Sequence, residues 1–336
     1  MLAQLWRTLR RLGLRGWLCA LALVIALHRR LRRSLARKRR AWRAQTDRHV
    51  EARARATGKG TTGTGTDTPL PSICFQGAGC VLVYHVGVAR YVCAHFETEH
   101  ARFLGASGGA VVAACVAAGV DLEFVLQRGL AVAEVCREPP LGPFFRLLPE
   151  VEAAFVKALH EQVPDGQVPT RCNGRLFLSL THLPTMGQRL LSDFPSREEL
   201  AVACTCSMNL PVFLCPLKRV EGELYVDGGL SDNAPAWDAR TITVSPCDAS
   251  AHVHPPAGKS PGLLRFVIPG DRDFMLAMQQ QGWDDAAANH DLFVRQGWRP
   301  RQRQRDDDPS SPAEEQTRGG GACVKGGEHA ITVAGD

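Results

Sequence analysis

The stretch "RFLGASGGAVVAACVAAG", residues 102–119, places one serine between a short apolar run and a run of small residues. The first run predicts a β-strand and the second predicts a buried helix. Gly105, Ser107 and Gly109 form a G-x-S-x-G motif, which is typical of a nucleophile elbow, a sharp strand-to-helix turn that lifts a serine out of a sheet. An ordinary glycine turn before a buried helix fits the same letters, so the rest of the chain must decide between the two interpretations.

The other apolar runs alternate between strand and helix patterns. Four of them predict strands: "SICF" at 72–75, "RLFLSLTH" at 175–182, "ELYVD" at 223–227 and "TITVSP" at 241–246. One predicts a helix with a buried face, "VLVYHVGVARYVCAHF" at 81–96. Strands interleaved with helices indicate an α/β protein with a layered sheet.

The charge is distributed unevenly along the chain. The 336 residues carry 40 Lys and Arg and 34 Asp and Glu, but residues 1–45 hold thirteen of the bases and no acid. The other 27 bases face all 34 acids, so the body is acidic, which argues against nucleic acid as a partner. The twelve cysteines lie mostly in apolar runs and form no C-x-x-C pair, so we expect reduced thiols, a cytosol-facing body and no metal site.

Residues 1–46 form a basic segment with an uncharged apolar run at 16–27. As a helix this run rises about 18 Å, short of a hydrocarbon core of about 30 Å. Three interpretations stay open: a short signal-anchor that spans as a transmembrane helix, an interfacial basic helix, and an Arg-rich transit peptide. The composition predicts a Gly/Thr-rich linker at 47–67, the folded domain at 68–298 and a disordered tail at 299–336.

A glycine-rich loop follows the first predicted strand. In "FQGAGC", residues 75–80, the backbone N–H groups around Gly77, Ala78 and Gly79 can form a nest for an oxyanion. The loop lacks the Lys-Ser/Thr pair of a P-loop and the full spacing of a dinucleotide site, so nucleotide binding is disfavoured.

A carboxylate follows a later strand. In "YVDGGLSDNAP", residues 225–235, Asp227 ends the strand, and Gly228 and Gly229 leave no side chain between the carboxylate and the chain opposite. We interpret Asp232 and Asn233 as turn and capping residues. A D-G-G triplet alone is usually a turn, but together with an elbow and a glycine nest it indicates acyl transfer.

With these motifs the chain resembles the patatin-like phospholipase family, in its animal adiponutrin and adipose triglyceride lipase branch. The resemblance covers roughly residues 68–298 and implies a three-layer α/β/α fold with a central, mostly parallel sheet. The segments that carry it occur in the family's order: "GAGCVLVYHVGVARYV", "FLGASGGA", "LLSDFPSREELAVACTCSMNLPVF", "YVDGGLSDNAP", "TITVSP" and "QQQGWDDAAANHDLF".

The resemblance also implies the chemistry. Ser107 would be the nucleophile and Asp227 the base of a Ser–Asp dyad, with the oxyanion hole at Gly77, Ala78 and Gly79. The implied activity is hydrolysis of glycerolipid acyl esters through an acyl-serine, without metal or organic cofactor. From the basic apolar segment 1–46 we expect attachment to a membrane or lipid-droplet surface, with the endoplasmic reticulum, the droplet and the mitochondrion all open as locations and a protein co-activator left open. Gly108 departs from the family pattern, which has alanine there.

Three alternatives remain open. A Ser–Asp–His triad would need a histidine after Asp227, and the candidates are His252, His254 and His290; we interpret His85 as a helix-packing residue. A catalytically silent scaffold would keep the fold and bind lipid or a partner. A transacylase would pass the acyl group to a lipid alcohol instead of water, and the sequence does not separate this from hydrolysis.

Overall fold

The structure is a computed structural model that describes residues 70–137, 142–210 and 215–301. The predicted membrane-targeting segment, the linker and nearly all of the predicted tail lie outside these ranges, and the statements about them stay predictions. The described chain continues a few residues past 298. There Pro300 pairs with Phe96, and the N–H of Arg301 donates to the carbonyl of His95 at 2.8 Å.

The described residues form seven strands, eight α-helices and three one-turn 3₁₀ helices. The strands are β1 (Ser72–Phe75), β2 (Arg102–Ala106), β3 (Leu176–His182), β4 (Gly187–Leu191), β5 (Lys218–Val220), β6 (Glu223–Asp227) and β7 (Ile242–Val244). The α-helices are α1 (Val83–His95), α2 (Gly108–Ala118), α3 (Leu122–Arg137), α4 (Gly142–Gln162), α5 (Gln167–Cys172), α6 (Arg197–Met208), α7 (Arg272–Ala288) and α8 (His290–Arg295). The 3₁₀ helices are Gly79–Val81, Gly228–Leu230 and Leu263–Phe266.

One mixed, mostly parallel sheet lies at the centre of the described residues. Its strand order is β5-β6-β3-β2-β1-β7, and β4 pairs with β3. β1, β2, β3 and β7 run parallel, whereas β4 and β6 run antiparallel to β3 and β5 antiparallel to β6. With helices flanking this sheet, the predicted α/β class and the expected three-layer α/β/α architecture are confirmed.

The main core lies between the sheet and the helices that follow its strands. α2 consists almost entirely of small residues, and ten of its eleven positions are buried. Small side chains let this helix approach the sheet closely, which sets the position of its first turn at the end of β2. The core side chains of the three central strands include Ile73, Phe75, Phe103, Leu176 and Leu178.

α1 and α7 pack against each other at unusually close range. A Cβ on Gly87 would lie 1.9 Å from the carbonyl oxygen of Gln279, and a Cβ on Gly282 would lie 2.1 Å from that of Tyr84. Only glycine fits at either position. The contact places the closing helix predicted from the sequence directly on the helix that follows the glycine nest.

The ten cysteines in the described residues are free thiols. Within the same residues, no helix combines the length and the apolar character needed to cross a membrane. The apolar run at 16–27 lies outside them.

Candidate active site

The sheet register brings the two predicted catalytic residues together. Ala106 at the end of β2 pairs with Ser179 on β3, and the next residue of β3, Leu180, pairs with Asp227 at the end of β6. Ser107 follows Ala106 directly. The antiparallel entry of β6 beside β3 therefore places Asp227 next to a serine that is 120 residues earlier in the chain.

Ser107 and Asp227 are hydrogen-bonded directly. The hydroxyl of Ser107 donates to Oδ2 of Asp227 at 2.7 Å, and the N–H of Gly229 donates to Oδ1 at 2.8 Å. Both residues are buried, with 7% of Ser107 and 2% of Asp227 exposed. A serine that touches a carboxylate without an imidazole between them is the geometry of a Ser–Asp pair.

The turn at Ser107 has the strained conformation of a nucleophile elbow. Ser107 has φ 53° and ψ −130°, and such a conformation in a non-glycine residue costs on the order of 1–3 kcal/mol. The flanking glycines make the turn sterically possible. A Cβ on Gly105 would lie 2.6 Å from the Cα of Ala110, and a Cβ on Gly109 would lie 2.1 Å from the carbonyl oxygen of Phe75.

The end of α6 anchors both members of the pair. The N–H of Ser107 donates to Oγ of Ser207 at 2.9 Å, and that hydroxyl donates to the carbonyl of Ser179 at 2.8 Å. The N–H of Asp227 donates to the carbonyl of Asn209 at 3.2 Å. Sequence reasoning missed Ser207, because nothing in "CTCSMN" distinguishes a supporting serine from a packed one.

Burial changes the chemistry of the carboxyl group. Removal from water raises the pKa of Asp227 to about 7, while the hydrogen bonds from Ser107 and Gly229 oppose the rise. A carboxylate with this pKa is a stronger base than an exposed one, and it is half ionised near neutral pH.

Backbone N–H groups lie beside the serine on the α2 side. Gly108 and Gly109 open α2, so their N–H groups have no partner within the helix, and the positive end of the helix dipole lies at Ser107. Gly79, with φ 53°, lies next to this helix start: a Cβ on Gly108 would be 3.2 Å from its nitrogen. These groups can stabilise negative charge that develops near Ser107.

The predicted oxyanion loop is held by two side chains. Oδ1 of Asn233 accepts the N–H of Gly77 at 2.9 Å, so the structure shows that amide already engaged. Nε2 of His85 donates to the carbonyl of Gln76 at 2.8 Å. Burial lowers the pKa of His85 to about 4, so the ring stays neutral. His85 thus supports the loop from the helix, in keeping with its predicted packing role.

Asn233 does more than the turn role that the sequence indicated. Asp232 does form the expected turn, since its Oδ1 accepts the N–H of Ala234 at 3.2 Å. The Asn233 side chain instead crosses to Gly77, and a Cβ on Gly229 would lie 2.8 Å from its Oδ1. It therefore links the loop after Asp227 to the glycine nest.

The histidines of the alternative triad form hydrogen bonds elsewhere. Nδ1 of His252 bonds to the hydroxyl of Thr243, and Nδ1 of His290 bonds to the hydroxyl of Tyr91. Nδ1 of His254 bonds to the carbonyl of Pro255. In the described residues, none of the three bonds to Ser107 or Asp227, so the geometry disfavours a triad. No group of three or more His, Cys, Asp or Glu side chains within these residues forms a candidate metal site.

An apolar cavity opens at Ser107. It lies between the Gly79–Val81 turn, the start of α2, and the helices α3 and α4. Apart from the Ser107 hydroxyl and the Cys80 thiol, its lining is made of aliphatic side chains, methionines, proline and glycines, including Val132, Leu148 and Met275. Burial raises the pKa of the Cys80 thiol, so that group is neutral as well. The cavity suits an uncharged aliphatic chain.

These features define a class: an α/β protein with a serine on a strand–helix elbow, paired directly with an aspartate beside an apolar cavity. The family model "Patatin-like phospholipase" matches residues 73–240, half of the chain. The chain belongs to the patatin-like phospholipase family.

The names of the curated relatives state several different activities. "Patatin-like phospholipase domain-containing protein 2" of Rattus norvegicus is 35% identical over 201 residues, which are 55% of this chain and 39% of the relative. "1-acylglycerol-3-phosphate O-acyltransferase PNPLA3" of Homo sapiens is 36% identical over 184 residues, 52% of this chain and 37% of the relative. "Omega-hydroxyceramide transacylase" of Mus musculus is 32% identical over 196 residues, 55% of this chain and 31% of the relative. The matched parts therefore span well under half of the length of these relatives.

Proposed function

We propose that this chain is a lipid acyl hydrolase that cleaves acyl esters of glycerolipids through an acyl-serine intermediate. Ser107 is the nucleophile and Asp227 the proton acceptor. The observation that carries the proposal is the direct 2.7 Å hydrogen bond between them at the mouth of an apolar cavity. The family's name and the names of the relatives, which refer to lipids, support the substrate class.

Acylation follows from the positions of these groups. The Ser107 oxygen attacks the ester carbonyl while Asp227 takes the hydroxyl proton. The carbonyl oxygen becomes an oxyanion, which the free backbone N–H groups at the start of α2 and in the Gly79 region stabilise. The intermediate then collapses, the ester's C–O bond breaks, and Asp227 returns the proton to the departing lipid alcohol.

Deacylation repeats the sequence with water. A water molecule attacks the acyl-serine carbonyl while Asp227 accepts its proton. The bond to Oγ of Ser107 breaks, the serine regains the proton, and a fatty acid leaves. One carboxylate therefore serves both halves of the reaction.

The test measures fatty-acid release from purified full-length protein, together with labelling by a fluorophosphonate probe. Ser107→Ala abolishes both, and Asp227→Asn lowers release by at least about a thousandfold. Ser250 is an exposed serine far from Ser107 in the sequence, and Ser250→Ala is the matched control. This variant keeps both fatty-acid release and probe labelling. Release by Asp227→Asn close to the wild-type rate would end the dyad assignment. Absence of labelling in folded wild-type protein would favour the lipid-binding scaffold.

The same acyl-serine could pass its acyl group to a lipid alcohol. The names of two relatives state acyl transfer for those proteins. The assay separates the two outcomes when labelled triacylglycerol is supplied with and without a lysophospholipid or diacylglycerol acceptor. Label in free fatty acid identifies hydrolysis, and label in a new ester identifies transfer.

We also propose that the enzyme works at a membrane or lipid-droplet surface. Phe145 on α4 and Leu264 in the Leu263–Phe266 turn are exposed hydrophobic residues, 40% and 50% accessible. Phe145 is two residues from Leu147, which lines the cavity. Leu264 is two residues from Phe266, whose carbonyl oxygen contacts Gly79. The basic apolar segment 1–46 would add attachment. Flotation with phosphatidylcholine vesicles tests this: the full chain floats, and deletion of residues 1–46 weakens flotation.

A further inference from the structure

Two cavities lie in series on one side of Ser107. The first is the cavity that opens at the serine, and the second lies between α3 and α4. They share four lining residues: Leu82, Gly129, Val132 and Val151. With the open solvent at their mouths included, the empty space is about 590 Å³ in the first cavity and about 420 Å³ in the second.

The second cavity is also apolar. Its side chains come mainly from hydrophobic residues of α3 and α4, among them Phe124, Phe155 and Ala158. Its one charged lining residue is Arg128, whose guanidinium lies over the ring of Phe124, 4.9 Å from the centroid. The aliphatic part of Arg128 can therefore line an apolar space while its charge stays at the rim.

Gly129 is the residue that the packing does not explain. It lies in the middle of α3, where glycine costs about 1 kcal/mol relative to alanine. The helix-interior glycines Gly87 and Gly282 are required by close contact with a neighbouring backbone. A Cβ on Gly129, by contrast, would meet only Cγ1 of Val83, at 3.9 Å, among the described atoms beyond its own helix. Its missing side chain leaves open space in the wall that both cavities share.

We propose that the two cavities form one acyl-chain tunnel, and that Gly129 keeps it open so that the tunnel accepts a long, unbranched acyl chain. This inference rests on the proposed function and specifies its substrate. The carbonyl lies at Ser107, the first carbons fill the first cavity, and the distal carbons pass Gly129 into the space between α3 and α4.

The dimensions agree with a long chain. Lining residues on α3 extend from Ala133 to Phe124, about 13.5 Å at about 1.5 Å per residue. A butyryl chain extends about 4 Å beyond its carbonyl carbon and a palmitoyl chain about 19 Å, at about 1.25 Å per carbon–carbon bond. A butyryl group therefore stays in the first cavity, whereas a palmitoyl group needs the second.

The experiment compares chain-length selectivity in the full-length protein. The ratio of kcat/KM for p-nitrophenyl palmitate to that for p-nitrophenyl butyrate is measured in the same detergent micelles. Gly129→Leu places a side chain in the shared wall, and Ala154→Leu fills the second cavity from α4. Ala153→Leu, the exposed neighbour of Ala154 on the same helix, is the matched control.

We expect the palmitate-to-butyrate ratio to fall at least tenfold in Gly129→Leu and at least fivefold in Ala154→Leu, and to stay within twofold of wild type in Ala153→Leu. An unchanged ratio in both tunnel variants overturns the tunnel while leaving the hydrolase intact. Butyrate turnover and the melting temperature report whether each variant is folded.

If wild-type protein hydrolyses neither ester and also releases no fatty acid from glycerolipid, the proposed function fails and the tunnel is tested by binding. Palmitate then displaces a fluorescent fatty acid from the wild type, and Gly129→Leu weakens palmitate at least fivefold. Equal palmitate affinity in the two proteins overturns the tunnel.

Discussion

Two buried hydroxyl–carboxylate pairs occur among the residues that the structure describes, and only one of these two has the surroundings of a catalytic site. Ser107 donates to Asp227 at 2.7 Å, and Tyr84 donates to Asp285 at the same distance. Burial raises the pKa of both carboxyl groups. Bond length, burial and pKa direction therefore do not distinguish the two pairs.

What differs is the space and the backbone around each hydroxyl. The Tyr84–Asp285 pair joins α1 to α7, and Asp285 also accepts a bond from Gln281 at 2.7 Å. Its hydroxyl lies in a packed helix–helix contact. Ser107 instead has a strained φ of 53°, an apolar cavity beside it, and next to it the first N–H groups of a helix, which have no partner within that helix. A carboxylate activates a hydroxyl for catalysis only where a substrate can enter and its oxyanion can be stabilised.

The largest expected contrast comes from removing each hydroxyl. We expect Ser107→Ala to abolish ester hydrolysis, because it removes the proposed nucleophile. Tyr84→Phe keeps hydrolysis within twofold of wild type but lowers the free energy of unfolding by about 1–3 kcal/mol, since a buried carboxylate loses a donor. Activity assays and urea titrations on both variants measure the contrast. A large loss of activity in a well-folded Tyr84→Phe would show that the two pairs are not separate in function.

The contrast also explains what sequence could predict here. Gly105, Ser107, Gly109 and Asp227 lie in short stretches whose steric demands are local, so their letters indicate an elbow and a strand-end carboxylate. The strands predicted around them match β1, β2, β3, β6 and β7 to within a few residues. The fold class followed from this alternation.

Contacts set by the sheet register could not be predicted in the same way. Asn233 reaches Gly77 across 156 positions, and Ser207 reaches Ser107 across 100. Neither residue carries a local signal for its partner, because one pairing depends on where the segment after β6 lies relative to the loop after β1, and the other on where α6 lies relative to β2. The role proposed for Gly129 could not be predicted from sequence either, since it depends on which atoms a Cβ at that position would contact.

The next largest effect concerns the asparagine near each pair. Asn233 holds the N–H of Gly77, while Nδ2 of Asn289 donates to the carbonyl of Asp285 at 2.8 Å. Asn233→Ala removes the side chain that holds the N–H of Gly77, so the glycine nest loses its support. We expect kcat to fall about ten- to a hundredfold with KM nearly unchanged. This loss is smaller than the hundred- to thousandfold typical of removing an oxyanion donor. Asn289→Ala lowers the melting temperature and leaves kcat unchanged. An Asn233→Ala enzyme with wild-type kcat would assign the residue to structure alone.

The pKa of Asp227 links activity and stability in opposite directions. The proposed mechanism needs the ionised form, so we expect kcat/KM to fall about tenfold per pH unit below a pKa of about 7 and to level off above it. In the unfolded chain an aspartate titrates near 3.9, so stability declines as pH rises from about 4 to about 7, by at most about 4 kcal/mol.

Asp227→Asn removes this penalty. Its melting temperature therefore equals that of wild type near pH 4 and exceeds it increasingly up to pH 7. Melting curves across this range, together with the pH–rate profile of the wild type, measure both trends. A flat rate from pH 5 to pH 8 would contradict the assignment of Asp227 as the base.

The smallest effect is expected at the first residue of α2. A Cβ on Gly108 would lie 3.1 Å from the oxygen and 3.2 Å from the nitrogen of Gly79, which is tight but not a clash. Gly108→Ala therefore displaces the Gly79 loop by a few tenths of an ångström and changes kcat by less than tenfold. Gly109→Ala, one residue further on, would place a Cβ 2.1 Å from the carbonyl of Phe75, and we expect it to prevent stable folding. Circular dichroism and kcat of the two variants test whether the first position of α2 tolerates alanine while the second does not. Equal outcomes would mean that the backbone of the elbow adjusts equally to a Cβ at either position.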